Sequence, residues 1–586
     1  MRIRPLLIAC ATLAVAIPAI AQVAQTPPAS APTPAVQDTP AISSADPAEA
    51  TDSDAGTVSP SDESALEELN NLALTPPAPP VEYPGWARRD PWVVGALDPE
   101  QLGLGAEPWG DASGAFLTVL MRRMDTPLAS RWAHIAIRDA LLARTRAPRQ
   151  VNPVDWVAER TWLLLRMGEA DAAKILVSSV DSDRFTPKMV QVAVQSALAT
   201  SDPPALCPIQ EGIGKYDSRI QGLVRAMCLS LAGESASSGA QIDDARRHGR
   251  IGGIDLALAQ KVAGAAGSGQ AATIEWEPVD SLTAWRFGLS TATGLVPPDR
   301  LLNAASPQLR AFQARAPLLT PQQRLDSALI ATGLGVFSSQ SIVDLYSGIY
   351  DSTDPDDLPR TDAWQLRQAF VGKDAETRLA AIRKILAVGK DPLRQEAVRA
   401  ALARAATLVI PDAKLGKDAP ELISAMLAGG FDQAAARWIP VTGGMDDADA
   451  DRSWAMLALA APNIADVGTS RLNAFVKRDT SRNRVRSALL VAGLAGLGRI
   501  STDTANSLNR RYGLGLSRQT SWTKMIDSAA GRGQAGTVLV LTGTGFQTPS
   551  FADVPGAHML HAITSLKRSG QDFTARMIAA EALSRT

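Results

Sequence analysis

Apolar residues recur at intervals of three and four positions along most of the chain, the period of amphipathic α-helices. One such stretch lies between Asp374, a residue type that caps helix N-termini, and Gly389, a type that ends helices. Its apolar face consists of Leu379, Ile382, Ile385 and Leu386. We therefore predict a helix between Asp374 and Gly389.

A second helix is predicted to follow directly. Asp391 provides a cap and Pro392 suits the first helical position, where a missing N–H costs nothing. The apolar positions are Leu393, Val398, Leu402 and Leu408, and we expect the helix to end before Pro411. Two helices separated by so short a connection must pack as an antiparallel hairpin.

A similar pattern of an apolar run, a glycine and a later alanine recurs at residues 163–173, 426–435 and 566–575. Glycine permits the left-handed turn, and alanine lets two helices approach closely. This pattern resembles the helix-turn-helix units of tetratricopeptide-type repeats. It predicts an all-α fold, a degenerate α-solenoid of antiparallel helix hairpins preceded by a disordered linker. The short apolar run 538–541 fits a strand or a helix, and we interpret it as a buried helix because helices are expected on both sides.

The first residues have the three parts of an export signal. Arg2 and Arg4 precede an uncharged apolar run over 6–20, which is shorter than the roughly 20 residues that span a membrane. Residues 19–21 match the small-x-small cleavage pattern, so we predict a signal peptide over 1–21, cleaved between Ala21 and Gln22. The alternative, a lipid on Cys10, fits less well because the apolar run continues past that cysteine. A periplasmic or secreted location follows.

Residues 22–82 differ in composition from the rest. They are rich in Ala, Pro, Thr and Ser, and contain ten acidic residues without Lys, Arg or Trp. Such a segment buries too little apolar surface to offset its ordering entropy, which predicts a disordered acidic linker. Leucines at near-helical spacing in 64–74 indicate either a transient helix or a helix that docks a partner.

The remaining chain is predicted to comprise an N-terminal helical region, 83–270, and a C-terminal helical repeat region, 271–586. The whole chain has 58 basic and 60 acidic residues. Without the signal and the linker, 56 basic and 50 acidic residues remain, a net charge of +6. That charge is small for about 500 residues, so we expect no nucleic-acid partner. No second long apolar run is present, so we expect a protein that does not span the membrane.

The chain also resembles a group of uncharacterised secreted helical-repeat proteins of Gram-negative bacteria, some of them labelled antifreeze glycopeptide-like. The matching features are the signal, the Ala/Pro/Thr-rich leader, and the segments 151–160 and 575–581. The resemblance implies a secreted helical protein. It implies no activity, ice binding included, and no site residues.

Two motifs carry candidate chemistry. His558 and His561 share a helix face and are two potential zinc ligands, with Asp553 as a possible third, but the glutamate of the HExxH motif is missing. Ser521 and Lys524 spell the S-x-x-K of penicillin-binding enzymes without its companion motifs. We interpret both as ordinary surface or structural residues and predict no catalytic, cofactor or metal site.

Acidic residues cluster twice, at 351–357 and at 446–451. The second cluster resembles the start of a calcium loop, but Arg452 stands at the glycine position and Ala458 at the glutamate position. Acids are favoured at helix N-termini, and a helix over 453–460 is expected just beyond. Three Gly-Lys-Asp triplets, which begin at Gly372, Gly389 and Gly416, are interpreted as helix junctions.

Cys207 and Cys228 are the two cysteines that follow the signal. An exported protein matures under oxidising conditions, so we predict a disulfide between them. We expect Cys207 to end one helix, because Pro208 follows, and Asp217 to cap the next. An extended connection over 208–216 would bring the second helix back past Cys207.

These features favour a non-enzymatic envelope protein that binds or scaffolds through a helical-repeat surface. Its expected partner is another envelope protein or a cell-wall component. The alternative is a secreted helical enzyme that acts on polysaccharide or peptidoglycan. Aromatic residues make up only 5% of the chain, few for a sugar-binding cleft, which needs stacking aromatics beside its carboxylates.

Overall fold

A computed structural model describes residues 84–248, 251–266, 272–464 and 467–586. The chain is all-α, as predicted: those residues form 27 α-helices and one small antiparallel sheet, in which Val93–Val94 (β1) pairs with Thr145–Arg146 (β2). The predicted signal with its cleavage at Ala21 and Gln22, the linker 22–82 and the helix at 64–74 lie outside the described residues.

The helices of the first half have the following bounds: α1 Gly114–Arg122, α2 Arg131–Leu142, α3 Pro153–Met167, α4 Ala170–Ser178, α5 Pro187–Ala199, α6 Gln210–Tyr216, α7 Ser218–Leu231, α8 Ser235–Arg247, α9 Gly253–Ala266, α10 Ala284–Ala292, α11 Asp299–Ala304, α12 Pro307–Arg315, α13 Pro321–Leu334 and α14 Ser339–Ser352.

The helices of the second half have the following bounds: α15 Asp362–Val371, α16 Ala375–Leu386, α17 Pro392–Ala406, α18 Ala419–Ala428, α19 Asp432–Ala436, α20 Asp447–Ala460, α21 Thr469–Arg478, α22 Val485–Gly496, α23 Thr502–Tyr512, α24 Ser521–Gly531, α25 Ala535–Gly545, α26 Gly556–Arg568 and α27 Asp572–Ser584. Short 3-10 helices connect several of them, at Gly85–Ala87, Ser182–Arg184, Pro203–Ile209, Leu358–Arg360, Ala413–Leu415, Ile439–Gly444, Arg482–Arg484 and Phe551–Asp553.

One tight turn, after which the next helix begins two residues beyond the turn's glycine, occurs five times among the described residues. Each has a glycine with positive φ, and the next residue donates its N–H to the carbonyl five positions before it, closing a Schellman turn. The glycines are Gly168, Gly233, Gly430, Gly533 and Gly570. Three of these turns are the ones that the sequence pattern predicts. In each unit the residue five positions after the glycine is buried, which is where the repeat pattern places its alanine.

The predicted hairpin of α16 and α17 is present, with different ends. Asp374 and Asp391 cap the two helices through their side chains, as expected. α16 stops before Gly389, and α17 ends at Ala406, so Leu408 is half-exposed instead of lying on the apolar face. The run 538–541 is a buried part of α25, as predicted.

The buried side chains form two hydrophobic clusters. The main cluster includes residues from Val94 near the beginning of the described chain to Ala582 in α27. A second cluster joins α5 to α7, α9 and α10, with Leu198, Met227, Leu258 and Leu289 among its members. The predicted division of the body at residue 270 stays a prediction.

The last helices of the chain pack against the first. α27 contacts α2 as well as α18, α20, α22 and α26, and α25 also lies against α2. α2 in turn contacts α13. The hairpins therefore do not simply run one after another, because the end of the chain returns to its beginning.

Two buried charged residues hold this junction together. Glu581 in α27 accepts hydrogen bonds from Ser130 Oγ at 2.6 Å and from the backbone N–H of Arg131 at 2.8 Å. Both donors lie at the N-terminus of α2. Arg131 donates to the carbonyls of Thr332 at 2.9 Å and Ala428 at 2.8 Å, at the ends of α13 and α18. Burial lowers the pKa of Arg131, and the nearby Glu396 and Glu581 partly offset that effect.

Cys207 and Cys228 form a disulfide, with Cα atoms 5.6 Å apart. Asp217 caps α7 as expected, by accepting from the N–H of Arg219 at 2.9 Å. The connection differs from the prediction: Cys207 does not end a helix, since a 3-10 helix continues through Pro208 to Ile209 and leads into α6. A helical path, with Ile213 buried, thus replaces the expected extended one.

Among the described helices, none combines the length and the apolar character needed to cross a membrane.

Candidate functional site

A cavity of about 350 Å³ opens between α3, α5, α10 and α12. It lies where the two hydrophobic clusters meet, with Leu165 and Ala199 from the main cluster and Ala284 packed against the second one. We call it the aromatic cavity. Its lining consists of Thr126, Trp162, Leu165, Arg166, Gln195, Ala199, Ala284, Phe287, Ser306, Gln308, Leu309 and Phe312.

Three aromatic side chains form much of the apolar wall. Trp162 comes from α3, Phe287 from α10 and Phe312 from α12, and the two phenylalanine rings have their centroids 6.2 Å apart. Phe287 is almost completely buried, whereas Trp162 and Phe312 are partly accessible. An accessible aromatic wall of this kind is typical of sites for small molecules, whose volumes are about 300–1,000 Å³.

α10 approaches α5 closely because Gly288 has no side chain. A Cβ at this position would lie 2.6 Å from the carbonyl oxygen of Leu198, closer than real Cβ atoms come. The glycine therefore fixes the distance between the two helices beside the aromatic cavity. Phe287, its neighbour in α10, is thereby held against the cavity.

A few polar groups converge on the same space. Gln308 Nε2 donates to Thr126 Oγ1 at 2.8 Å, and Thr126 donates to the carbonyl of Arg166 at 2.7 Å. Gln195 is partly accessible, and its side-chain amide makes no hydrogen bond to another described residue. The amides of Gln195 and Gln308 can therefore still bind a guest.

Arg166 is the one cationic side chain in this lining. Its guanidinium donates to the carbonyls of Met124 at 2.8 Å and Met121 at 2.5 Å, at the C-terminal end of α1. No carboxylate lies within ion-pair distance of it in the described residues, and its Nε is buried without a partner. Burial lowers the pKa of Arg166, although Asp125 and Glu159 act in the opposite direction.

The nearby Glu159 is committed to other partners. It is almost completely buried and accepts from Arg122 Nε at 3.0 Å and from Lys188 Nζ at 2.7 Å. Burial by itself raises the pKa of Glu159, but the hydrogen bonds from Arg122 and Lys188 outweigh it, so the pKa lies below its usual value. Glu159 thus stays ionised on these two cations and does not pair with Arg166, on which Asp125 acts only from beyond ion-pair distance.

A second candidate is a charged groove formed by two adjoining cavities of about 470 and 370 Å³. They share Arg452, Arg486 and Leu583, and the first also contains Arg399 and Arg585. Most of these cations already have carboxylate partners. Arg399 binds Glu421 with two hydrogen bonds, and Arg585 binds Glu581 at 2.7 Å.

The second cavity of the charged groove contains three carboxylates and an aromatic ring, namely Asp447, Asp451, Asp479 and Phe475. Asp451 is held by Arg478 through two hydrogen bonds of 2.7 Å. Burial alone would raise the pKa of Asp479, but hydrogen bonds from Ser481 and Ser487 hold the pKa below its usual value. A general acid needs a raised pKa, so the partners of Asp451 and Asp479 favour a structural role for both.

The two candidate histidines have different surroundings in the structure. His561 Nδ1 lies 2.8 Å from Asp527, whereas His558 packs on the Trp522 ring with a centroid distance of 4.4 Å. Burial lowers the pKa of His558. The possible third ligand, Asp553, does not join them: no group of three or more His, Cys, Asp or Glu is placed to hold a metal in the part of the chain that the structure describes.

Ser521 and Lys524 lie at the beginning of α24, with Ser521 exposed. Lys524 lines a separate open cavity of about 500 Å³, and Ser521 is not among the described residues that form it. The acids at 446–451 lie at the N-terminus of α20, where Asp446 is the cap residue, as the sequence interpretation expects. Each predicted Gly-Lys-Asp junction likewise precedes a helix, α16, α17 or α18.

The sequence did not indicate the aromatic cavity. Its wall comes from four helices that are far apart in the chain, and each contributes only two or three residues. Trp162 and Arg166 are one helical turn apart in α3, as are Gln308 and Phe312 in α12, and these spacings are local signals of a shared face.

Comparison with known proteins gives no match: no family model, no curated protein and no solved structure is significantly similar to this chain. The resemblance to secreted helical-repeat proteins therefore stays a prediction.

Proposed function

We propose that this chain is a non-enzymatic binding or scaffold protein of the bacterial envelope, and that the aromatic cavity is its ligand site. The observation that carries the proposal is the combination found there: an accessible wall of Trp162, Phe287 and Phe312 with the polar groups of Gln195, Gln308 and Arg166 at its edge. A mostly apolar pocket with a few convergent polar groups is the usual form of a small-molecule site.

The helical body adds a surface for a larger partner. Stacked helix hairpins offer extended faces that bind other proteins, which suits a scaffold. Another envelope protein or a cell-wall component is the partner that we propose. The Cys207–Cys228 disulfide supports a periplasmic or secreted location, because such bonds persist in oxidising compartments.

The alternative is a secreted enzyme that acts on polysaccharide or peptidoglycan. The observation in its favour is the charged groove, where Asp447, Asp451 and Asp479 lie near Phe475. The arginine and serine partners of Asp451 and Asp479 weigh against acid–base chemistry there. Incubation of the protein with purified sacculus tests this alternative, and release of soluble fragments would favour the enzyme over the binding protein.

The ligand site is tested with a neutral apolar fluorescent probe, N-phenyl-1-naphthylamine. Ala284 is the first residue of α10 and lines the aromatic cavity, so Ala284→Phe fills it. We expect the wild-type protein to bind the probe and Ala284→Phe to bind it at least about tenfold more weakly, since a tenfold change corresponds to about 1.4 kcal/mol.

The matched control is Ala375→Phe, at the exposed first position of α16 and away from the aromatic cavity. It should leave probe binding unchanged. Leu309→Trp, in α12, is a second filling variant, and circular dichroism checks that each variant is folded. Equal probe binding by the wild type and both filling variants would contradict the proposed site.

The scaffold role is tested by crosslinking in intact cells, followed by mass spectrometry of the captured complexes. We expect recurrent crosslinks between the helical body and one envelope protein or peptidoglycan. If the crosslinked proteins are recovered only in proportion to their abundance in the envelope, the scaffold role is wrong.

A further inference from the structure

The charge of Arg166 indicates what kind of ligand the aromatic cavity takes. The guanidinium of Arg166 donates hydrogen bonds to the backbone carbonyls of Met121, Met124 and Arg122, which are neutral acceptors. Two acids, Asp125 and Glu159, act on Arg166, but neither lies within ion-pair distance of it, and Glu159 is bound to Arg122 and Lys188. A half-buried arginine without a carboxylate among the described residues is uncommon, because buried charges are normally paired.

The space next to this cation is apolar and small. Trp162 and Leu165 come from the same helix as Arg166, and Phe312 lies in the same lining. A volume of about 350 Å³ holds a small molecule, not a helix or a polymer chain. The charge and the wall together require a guest that is apolar over most of its length and negative at one end.

We propose that the aromatic cavity binds a small amphiphilic carboxylic acid, whose apolar body lies against Trp162 and Phe312 and whose carboxylate lies near Arg166. Gln195 and Gln308 line the same cavity, and their amide N–H groups are further donors for this carboxylate. This inference rests on the proposed function of the aromatic cavity and adds the chemical class of the ligand.

The experiment is isothermal titration calorimetry of the full chain with octanoate and with octan-1-ol. The two probes share an apolar chain and differ in the charged end. We expect octanoate to bind about tenfold to a hundredfold more tightly, the range for a hydrogen bond to a charged group. Arg166→Gln should weaken octanoate binding much more than octan-1-ol binding and so remove this preference, whereas Arg166→Lys should retain part of it.

Arg499 provides the matched control. It also donates to backbone carbonyls, those of Ala458 and Ala461, and burial lowers the pKa of this arginine to about 10, but it is not part of the aromatic cavity. Arg499→Gln should therefore keep the octanoate preference. If Arg166→Gln loses octan-1-ol binding as well, Arg166→Lys decides: a remaining preference of that variant for octanoate supports the inference, and equal binding of the two probes contradicts it.

Three results would overturn the inference. Equal Kd values for octanoate and octan-1-ol would contradict the carboxylate and leave the proposed cavity intact. A tighter Kd for a leucine-terminated tetrapeptide than for octanoate would contradict the small-molecule class. Binding of neither probe would contradict the inference and the proposed ligand site together.

Discussion

Single arginines connect distant parts of this protein by donating to backbone carbonyls. Arg160 is completely buried and donates to the carbonyls of Leu141 at 2.8 Å and Val94 at 3.0 Å. Burial lowers the pKa of Arg160 to about 9, so the side chain remains charged at neutral pH. Arg131 and Arg166 use the same kind of contact, and the carbonyls at helix ends are good acceptors because they lack partners within the helix.

Glu581 is the residue whose loss should be most costly for stability. It is almost completely buried, caps α2 through Ser130 and Arg131, and pairs with Arg585 at 2.7 Å. Glu581→Gln leaves the buried Arg585 without its paired carboxylate, so we expect the free energy of unfolding to fall by about 3–5 kcal/mol. Urea denaturation measures this. The control Asp572→Asn, at the half-exposed start of α27, should lower the free energy of unfolding by about 1 kcal/mol or less. Equal losses of stability in the two variants would contradict the role of Glu581.

Glu159 should make stability depend on pH. Its folded-state pKa lies below the usual value, so the ionised form stabilises the fold above the unfolded pKa of about 4.3 and this contribution disappears as the pH falls through the lower folded pKa. Glu159→Gln should therefore destabilise the protein at pH 7 and lose most of that difference as the pH is lowered towards 3. Urea midpoints of both proteins across this range measure it. A difference that stays constant with pH would show that ionisation is not involved.

At the scale of elements, the recurring glycine turn is the best-predicted feature. Its signal is local, an apolar run followed by glycine and then by a small buried residue, and the units at Gly168, Gly430 and Gly570 were found from it. The units at Gly233 and Gly533 were missed, because a serine and a valine stand where the pattern expects alanine. The turn geometry is the same in all five, so the glycine matters more than the alanine.

Alanine substitutions at Gly533 and Gly531 distinguish the effect of backbone strain from the effect of side-chain packing. Gly533 has a φ of +70° and nothing within 4 Å of an added Cβ, whereas Gly531 ends α24 without a positive φ. We expect Gly533→Ala to lower the free energy of unfolding by about 1 kcal/mol and Gly531→Ala to raise it by up to about 1 kcal/mol. Thermal or urea unfolding measures both. Changes of the same sign would contradict the turn geometry.

The Cys207–Cys228 bond should stabilise the segment that contains α6 and α7. It closes a loop with a sequence separation of 21 residues, for which the chain-entropy treatment gives about 3 kcal/mol. The double variant Cys207→Ser with Cys228→Ser should be destabilised by this amount. Reducing agent should destabilise the wild type equally and leave the double variant unchanged. A wild type insensitive to reduction would contradict the bond's contribution.

For the whole molecule, the sequence predicted the helices and their hairpins but not how the ends meet. Helix periods and caps such as Asp374 and Asp391 are local and readable from a few residues. The contact of α27 with α2 depends on Glu581 reaching Ser130, residues separated by 451 positions. The aromatic cavity is missed for the same reason, since Trp162 and Phe312 meet only after the chain has folded back.

The proposed function depends on a ligand site between α3, α5, α10 and α12. Photolabelling tests it most directly: a diazirine-bearing octanoate is irradiated with the full chain and the modified residues are identified by mass spectrometry. We expect labels on Trp162, Leu309, Phe312 and their neighbours in the aromatic cavity, and we expect excess octanoate or Ala284→Phe to suppress them. Labels spread over exposed surfaces, or concentrated in the charged groove around Arg452 and Arg486, would contradict it.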